Sequence, residues 1–165
     1  MIDPCEPGGG VVFYGLRRLL LVLHAGGSIV LIGAATHHAL QMRHYLRGRY
    51  GREKLEKTYA KVVSVAYVVT YALGALLYPS YRVHVRGYWL DRHAPAFSGL
   101  FDLKETYASL VLVVAVALGA LALTLRPAET PALTRVYAVM SLIVCAVVWF
   151  NVVAGLLVVS AHGVG

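Results

Sequence analysis

Charged residues are scarce in this sequence. They make up 14% of its 165 residues, whereas a soluble domain carries about 25%. Hydrophobic residues reach 59%, and the mean hydropathy is +0.68. The apolar residues are gathered into long runs, which exclude an ordinary soluble domain and place the chain in the membrane class. The net charge of +7 is typical of the basic loops of a membrane protein, which contact anionic lipid. Because no RNA- or DNA-binding signature accompanies this charge, we expect no nucleic-acid partner.

Cysteine is almost absent. Of the two cysteines, Cys5 lies in a polar tail and Cys145 in an apolar run, so they do not suggest a disulfide framework. The sequence also lacks the Cys-x-x-Cys-His motif of covalent c-type haem, a hydrolase nucleophile motif, a phosphate-binding glycine loop and a Cys/His zinc signature. The N-terminus lacks the ordered charged, apolar and cleavage regions of a signal peptide. We therefore expect the first apolar segment to remain in the mature protein.

Four apolar segments dominate the chain. The pattern predicts helices at about residues 19–42, 62–78, 103–125 and 132–160. The first segment, at about 1.5 Å per residue, can cross a hydrocarbon core of about 30 Å. We therefore expect an all-α integral membrane protein. It would be a single membrane domain over residues 1–165, built as an antiparallel bundle of four transmembrane helices.

Two stretches of small residues lie within these segments. Residues 25–28 read Ala-Gly-Gly-Ser in the first segment, and Ala115 and Gly119 are four positions apart in the third. Small residues let neighbouring backbones approach closely. We expect both stretches at helix contacts, so that Gly26 and Gly119 would not tolerate a large side chain.

The stretch between the second and third segments, residues 79–102, is not an ordinary connector. It and its flanks are rich in aromatic and charged residues, and amphipathic aromatics favour the boundary between hydrocarbon and water. Pro79 is predicted to end the second helix, and Asp102 with Glu105 forms a capping-box variant that predicts the start of the third. We expect a structured extracytoplasmic cap over one mouth of the bundle, where a chemical site would be sought first.

The basic residues are divided unequally between the two sides of such a bundle. Residues 43–61 alone hold seven Lys or Arg, and the two connections on that side hold nine against six on the other. The positive-inside rule therefore places residues 43–61 in the cytoplasm. Both termini and the 79–102 cap would then lie outside a cell (inner) membrane.

Histidines are the ionisable residues that stand out in the first segment. His24 and His38 are fourteen positions apart, so they share one helix face at an offset of about 40° and a rise of about 21 Å. This spacing resembles the ligand pairs of membrane b-type cytochromes, in which neutral imidazoles from two helices coordinate haem iron. Because the second and third segments hold no histidine, the resemblance implies one haem, or one metal ion, near the outer face.

The candidate ligands of a haem or a metal ion on the outer side are His24, His84, His93 and His162. A membrane-embedded imidazole is a functional hypothesis by default, so we expect His24 to be one ligand and one of the other three to be the second. Arg82 and Arg86 are the candidate contacts for haem propionates, with lipid phosphate or the carboxylates of a partner as the alternative.

The cytoplasmic side offers fewer candidates. His37, His38 and His44 have no evident partners from other segments, and we expect them to be interfacial or hydrogen-bonded. Glu53 and Glu56 are most simply paired with neighbouring lysines on the same helix face. We expect no catalytic residue here or elsewhere in the chain.

Two functions fit these features. The first is electron transfer, by a membrane protein or subunit of a respiratory-type complex that carries one haem b near the outer face. A quinone is a further candidate ligand at the same mouth. The alternative is a cofactor-free structural or accessory subunit whose small-residue seams, aromatic cap and basic inner loop serve assembly. In both cases the expected partners are lipid and other membrane subunits, or further copies of the chain, and we do not expect a free-standing enzyme.

Overall fold

The computed structural model describes residues 14–82, 86–87 and 90–163. Within those residues 91% of the chain is helical and no strand is present. In chain order the elements are a 3-10 turn (Tyr14–Leu16), α1 (Arg17–Leu46), α2 (Glu53–Tyr81), the short α3 (Asp91–His93), α4 (Pro95–Thr124) and α5 (Pro131–Gly163). The prediction of an all-helical chain with four long apolar helices is confirmed.

Helices α1, α2, α4 and α5 are each long and apolar enough to cross a membrane. At about 1.5 Å per residue, even the shortest of them, α2 with 29 residues, exceeds the roughly 30 Å of a hydrocarbon core. Many of their large apolar side chains point away from the protein, and Ile29, Val113 and Val159 are about 70% exposed, at 71%, 70% and 69%. The helices therefore have the length and the surface of candidate membrane spans.

The four long helices close on one another around a common core. Helix α1 packs against α2 and α5, and α4 packs against the same two helices. The core contains Met42, Ala60, Val63, Leu118 and Tyr137, none of which is more than 1% exposed. Lipid is as apolar as these side chains, so membrane helices associate through close packing and polar contacts rather than through burial from water.

Small residues lie at two of these helix contacts. A Cβ added at Gly119 on α4 would lie 2.6 Å from Ser64 on α2, as the sequence predicts for this contact. In α1 the contact residue is Gly27, where a Cβ would lie 2.7 Å from Thr70 Oγ1. The prediction for Gly26 is wrong, because nothing lies within 4 Å of a Cβ there. One position along a helix turns a residue by about 100°, which carries Gly26 off the contact.

Both helices continue into the basic stretch 43–61, beyond the apolar segments predicted to span the membrane. Helix α1 continues to Leu46 rather than ending near residue 42. The break at Gly48 and Gly51 predicts that helix resumes near Arg52, and α2 begins at Glu53, ahead of the apolar segment at about residue 62. Gly48 permits the reversal between them, because its φ of +71° is a left-handed conformation that glycine adopts without strain. Many of the charged residues of this stretch thus lie on helical turns, and one face of these turns points toward the protein core.

Helix α2 also continues past the residue predicted to end it. Pro79 lies inside α2, which ends at Tyr81. A proline interrupts a helix by removing one N–H donor and by crowding the preceding turn. Here less than one helical turn follows Pro79. The backbone N–H of Arg82, just after the helix, still donates to the carbonyl oxygens of Tyr78 and Pro79. The C-terminal end of α2 is therefore helical beyond the proline.

Helix α4 begins at Pro95, eight residues before the predicted 103, so residues 95–102 of the expected cap are helical. Proline is favoured at the first helical position, where its missing N–H would have no partner anyway. Asp102 is inside the helix, and both its carboxylate oxygens accept hydrogen bonds from Arg86. The predicted capping box is therefore wrong, because the Asp102 side chain is engaged elsewhere.

The described part of the cap packs onto the end of the bundle. Leu90 is fully buried there beside Phe101 and Val158. The ring of Tyr81 stacks on that of Phe101 with 4.4 Å between centroids. These contacts form a second, smaller apolar cluster, separate from the main core, where α2 ends and α4 begins.

Candidate functional site

A cluster of polar side chains lies inside the helix ring, at the end where α1 gives way to α2. His38 comes from α1, Glu56 from the first turn of α2, and Tyr137 and Ser141 from the first turns of α5. The four side chains are 1%, 1%, 0% and 2% exposed. Tyr137 and Ser141 are four positions apart and so share one face of α5. Three helices therefore contribute polar groups to one enclosed space.

The hydrogen bonds of this cluster centre on the imidazole of His38. Its Nδ1 lies 2.7 Å from the Ser141 hydroxyl oxygen, and its Nε2 lies 3.1 Å from both Glu56 Oε1 and the Tyr137 hydroxyl oxygen. The Tyr137 hydroxyl also donates a short hydrogen bond to Glu56 Oε1. The hydroxyl of Tyr45 reaches the other carboxylate oxygen at 3.5 Å. Both ring nitrogens and both carboxylate oxygens thus have neighbours, as buried polar groups require.

The members of this cluster find their hydrogen-bond partners on other helices. The imidazole of His38 on α1 contacts Glu56 on α2 and both Tyr137 and Ser141 on α5. Removing one partner of such a buried pair would be unfavourable by on the order of 3–5 kcal/mol, because the other group would be left buried without its counterpart. The cluster therefore ties three helices together.

Sequence reasoning missed this cluster. His38 was expected to be interfacial or hydrogen-bonded, with no evident partner from another segment; it is hydrogen-bonded, but its partners lie on α2 and α5. Glu56 was assigned to neighbouring lysines, and that expectation is wrong. Only Glu53 pairs with a lysine, Lys57, at 2.7 Å. A usable signal exists in the spacing of the buried α2 residues Glu56, Ala60, Val63, Tyr67 and Thr70, which recur every three or four positions. That stripe places Glu56 on the core face of a helix that starts well before the apolar run.

His24, the predicted outer ligand, is half-buried on α1 and contacts α2. Its Nδ1 lies 2.9 Å from the backbone carbonyl oxygen of Thr70. Because a carbonyl only accepts, Nδ1 carries the hydrogen, and the neutral ring keeps its lone pair on Nε2. Gly74 makes room for the ring, since a Cβ there would lie 3.1 Å from His24 Cε1. The orientation and tautomer of this imidazole are thus set by α2.

The other predicted ligands are not assembled by the described residues. His84 and the side chain of His162 lie outside them, and His93 is exposed at the end of α3. Among residues 14–82, 86–87 and 90–163, no group of three or more His, Cys, Asp or Glu side chains is placed to hold a metal ion.

The two predicted arginine contacts differ in their surroundings. The guanidinium of Arg86 donates to the two carboxylate oxygens of Asp102 at 2.6 and 2.9 Å. It also lies 3.8 Å from Asp91. Arg82 is exposed at the end of α2. Arg86 is therefore neutralised within the protein, whereas Arg82 presents its charge at the surface.

Comparison of the chain with protein-family models, with curated proteins and with solved structures finds no match. The function is therefore inferred from side-chain geometry and charge.

Proposed function

We propose that the chain is an integral protein of the inner (cell) membrane that serves electron transfer, with one b-type haem near the outer face. Its four long helices would span the bilayer as an antiparallel bundle. The exposed apolar faces of these helices support insertion, because contiguous apolar surface of this extent is unusual on a soluble monomer. Lipid is the solvent that such faces fit.

The proposed topology follows from the distribution of charge. Residues 43–61 carry seven Lys or Arg against two acids, Glu53 and Glu56. Glu56 is withdrawn into the interior with His38, and Glu53 is paired with Lys57. The surface of this stretch is therefore more basic than its composition suggests, which favours the cytoplasmic side. The termini and the 79–102 cap would lie outside.

The observation that carries the haem proposal is the contact between His24 and the Thr70 carbonyl. A haem-ligating imidazole needs a neutral ring with a free nitrogen, and such rings commonly donate their other N–H to a backbone carbonyl that fixes their orientation. His24 meets both conditions, because Nδ1–H donates to Thr70 at 2.9 Å and Nε2 retains the lone pair. The second axial ligand would come from His84, His93 or His162.

The cation at the propionates would be Arg82 rather than Arg86, since Arg86 already bonds both oxygens of Asp102. An exposed guanidinium at the membrane surface offers a fork of donors that matches a carboxylate. When bound, the haem would supply the one-electron chemistry, while the protein holds it, orients it and limits the access of water. A quinone at the same mouth would be its exchange partner.

A cofactor-free accessory subunit is the second candidate. It is favoured by the internal pairing of the polar groups that have been described, the His38 cluster and the Arg86–Asp102 pair. In this case the apolar helix faces would contact other membrane subunits or further copies of the chain. An optical spectrum of the purified protein separates the two functions: a Soret band with a narrow reduced α-band supports the haem, and its absence from haem-replete protein supports the accessory subunit.

A further inference from the structure

A pocket lies between α1 and α2 at the basic end of the protein, on a different face of α1 from His38, which is turned by about 100° from the lining residue His37. It has a volume of about 310 Å³ and is lined by His37, Leu40, Gln41, His44, Arg52, Leu55 and Tyr59. The lining residues of α1 (His37, Leu40, Gln41 and His44) are spaced by three, one and three positions. Arg52, just before α2, and the α2 residues Leu55 and Tyr59 are spaced by three and four. This spacing gives one stripe on each helix, so the two stripes face each other across the pocket.

The polar lining of this pocket consists of groups suited to an anion. His37 stacks on Tyr59 with 5.6 Å between ring centroids, which holds both rings at the wall. His44 and the guanidinium of Arg52 supply N–H donors. Gln41 also lines the pocket, and its buried amide oxygen has no hydrogen-bond partner among the described residues. Because this oxygen accepts hydrogen bonds, a bound group would satisfy it only through a donor such as a hydroxyl.

Within the part of the chain that the structure describes, no carboxylate pairs with the basic groups at this end of the pocket. Glu53 is paired with Lys57, and Glu56 is buried against His38. Among the described residues, Arg52 has no acidic partner within ion-pair distance. An anion from outside the protein would therefore meet an uncompensated charge.

The pocket also has an apolar rim. Leu40 and Leu55 line it from the two helices and are 46% and 45% exposed. They continue into the apolar faces of α1 and α2 that would contact acyl chains. A ligand with an anionic head and long hydrocarbon chains would contact both the polar lining and the apolar rim. A free anion would contact only the polar lining.

We propose that this pocket binds the phosphodiester of an anionic phospholipid, with the headgroup among His44, Arg52 and Gln41 and the acyl chains beside Leu40 and Leu55. Basic pockets between membrane helices on the cytoplasmic side commonly hold such headgroups. A hydroxylated headgroup such as that of phosphatidylglycerol would in addition donate to the Gln41 amide oxygen. This proposal does not depend on a haem, because the pocket and His24 lie at different ends of α1.

The test is a titration of the purified full chain in detergent, followed by native mass spectrometry. The probes are phosphatidylglycerol, phosphatidylcholine with the same acyl chains, and inorganic phosphate. We expect the wild-type chain to bind phosphatidylglycerol about five-fold more tightly than phosphatidylcholine.

Arg52→Gln should remove that preference. Lys54→Gln removes the same charge two positions away, outside the pocket lining, and should retain it. His44→Gln is a second pocket variant with an exposed side chain and should weaken binding in the same direction.

Three results would overturn the proposal. Equal binding of the two lipids would exclude a headgroup site. Equal losses in Arg52→Gln and Lys54→Gln would indicate diffuse surface attraction without a pocket. Displacement of phosphatidylglycerol by inorganic phosphate at similar concentration would identify a free-phosphate site.

Crosslinking of a photoreactive phosphatidylglycerol to the wild-type chain is a further test, and it does not depend on how the variants fold. Crosslinks on the pocket-lining residues support the site, and crosslinks confined to residues 126–135 contradict it.

Discussion

His38 Nε2 lies 3.1 Å from Glu56 Oε1, although the two residues come from different helices and each is only 1% exposed. This pair connects the end of α1 to the start of α2 inside the protein, and Tyr137 bonds to both partners from α5. A buried pair of this kind contributes less to net stability than to specificity, because desolvation offsets much of the attraction. Its main effect would be to fix how three helices meet.

Replacing the two glutamates of α2 should lower the free energy of unfolding by very different amounts. Glu56→Ala leaves the His38 imidazole and the Tyr137 hydroxyl without their acceptor, so we expect a loss of about 3–5 kcal/mol. Glu53→Ala breaks a partly exposed ion pair with Lys57 and should cost at most about 1 kcal/mol. Thermal or denaturant unfolding of the two variants in the same detergent measures the difference. Equal losses would contradict a structural role for the buried cluster.

Two glycines on different helices should respond in opposite ways to alanine. At Gly119 a Cβ would lie 2.6 Å from both Cβ and Oγ of Ser64, so α2 and α4 must separate. We expect Gly119→Ala to cost about 1–3 kcal/mol, as overpacking does. Gly26→Ala meets nothing within 4 Å and should be neutral or slightly stabilising. Unfolding in detergent checks both, and unchanged stability of Gly119→Ala would mean that this face does not pack as described.

The space beside His24 offers a test of its orientation. In Gly74→Ala the new Cβ would lie 3.1 Å from His24 Cε1, so the ring must shift by a few tenths of an ångström. If His24 holds a haem, disturbing the orientation of the ligand should weaken haem binding by about ten-fold. Gly99→Ala, with nothing within 4 Å, is the matched control and should retain the haem. Haem content at limiting haem concentration measures the effect, and equal content in both variants would argue against His24 as a ligand.

The topology predicts a difference in labelling between the two sides of the membrane. With Cys5 and Cys145 replaced by serine, Arg49→Cys should be shielded from an impermeant thiol reagent in intact cells, because residues 43–61 would face the cytoplasm. His93→Cys should be labelled, because the cap would face outward. The reverse pattern would invert the topology, and labelling after membrane disruption confirms that both thiols are reactive.

Hydropathy was sufficient to predict the four helices, because each apolar run reaches the length of a membrane-spanning helix, which is at least roughly 17 residues. The ends were harder. Pro79 was expected to end α2 but lies within its last turn, and α4 begins at Pro95 rather than near Asp102. A single Asp102–Glu105 spacing was outweighed by the ion pair that Asp102 makes with Arg86.

The buried cluster could not be predicted from charge alone. Glu56 sits in a stretch rich in lysine and arginine, which favours a surface ion pair when only neighbours in sequence are considered. Its burial depends on which face of α2 meets α1 and α5, and that is a tertiary property. The contact of His24 with Thr70 likewise depends on the packing of two helices, although the residue itself was singled out by its position within an apolar run.

The optical spectrum of protein purified from haem-replete cells shows whether the protein binds one b-type haem through His24. We expect a Soret band and a narrow reduced α-band, with close to one haem per chain. His24→Ala should lose the haem while the chain still inserts. His44→Ala, which changes a surface histidine at the other end of α1, should retain it. Wild-type protein that carries no haem would rule out the proposed electron-transfer function and favour a cofactor-free accessory subunit.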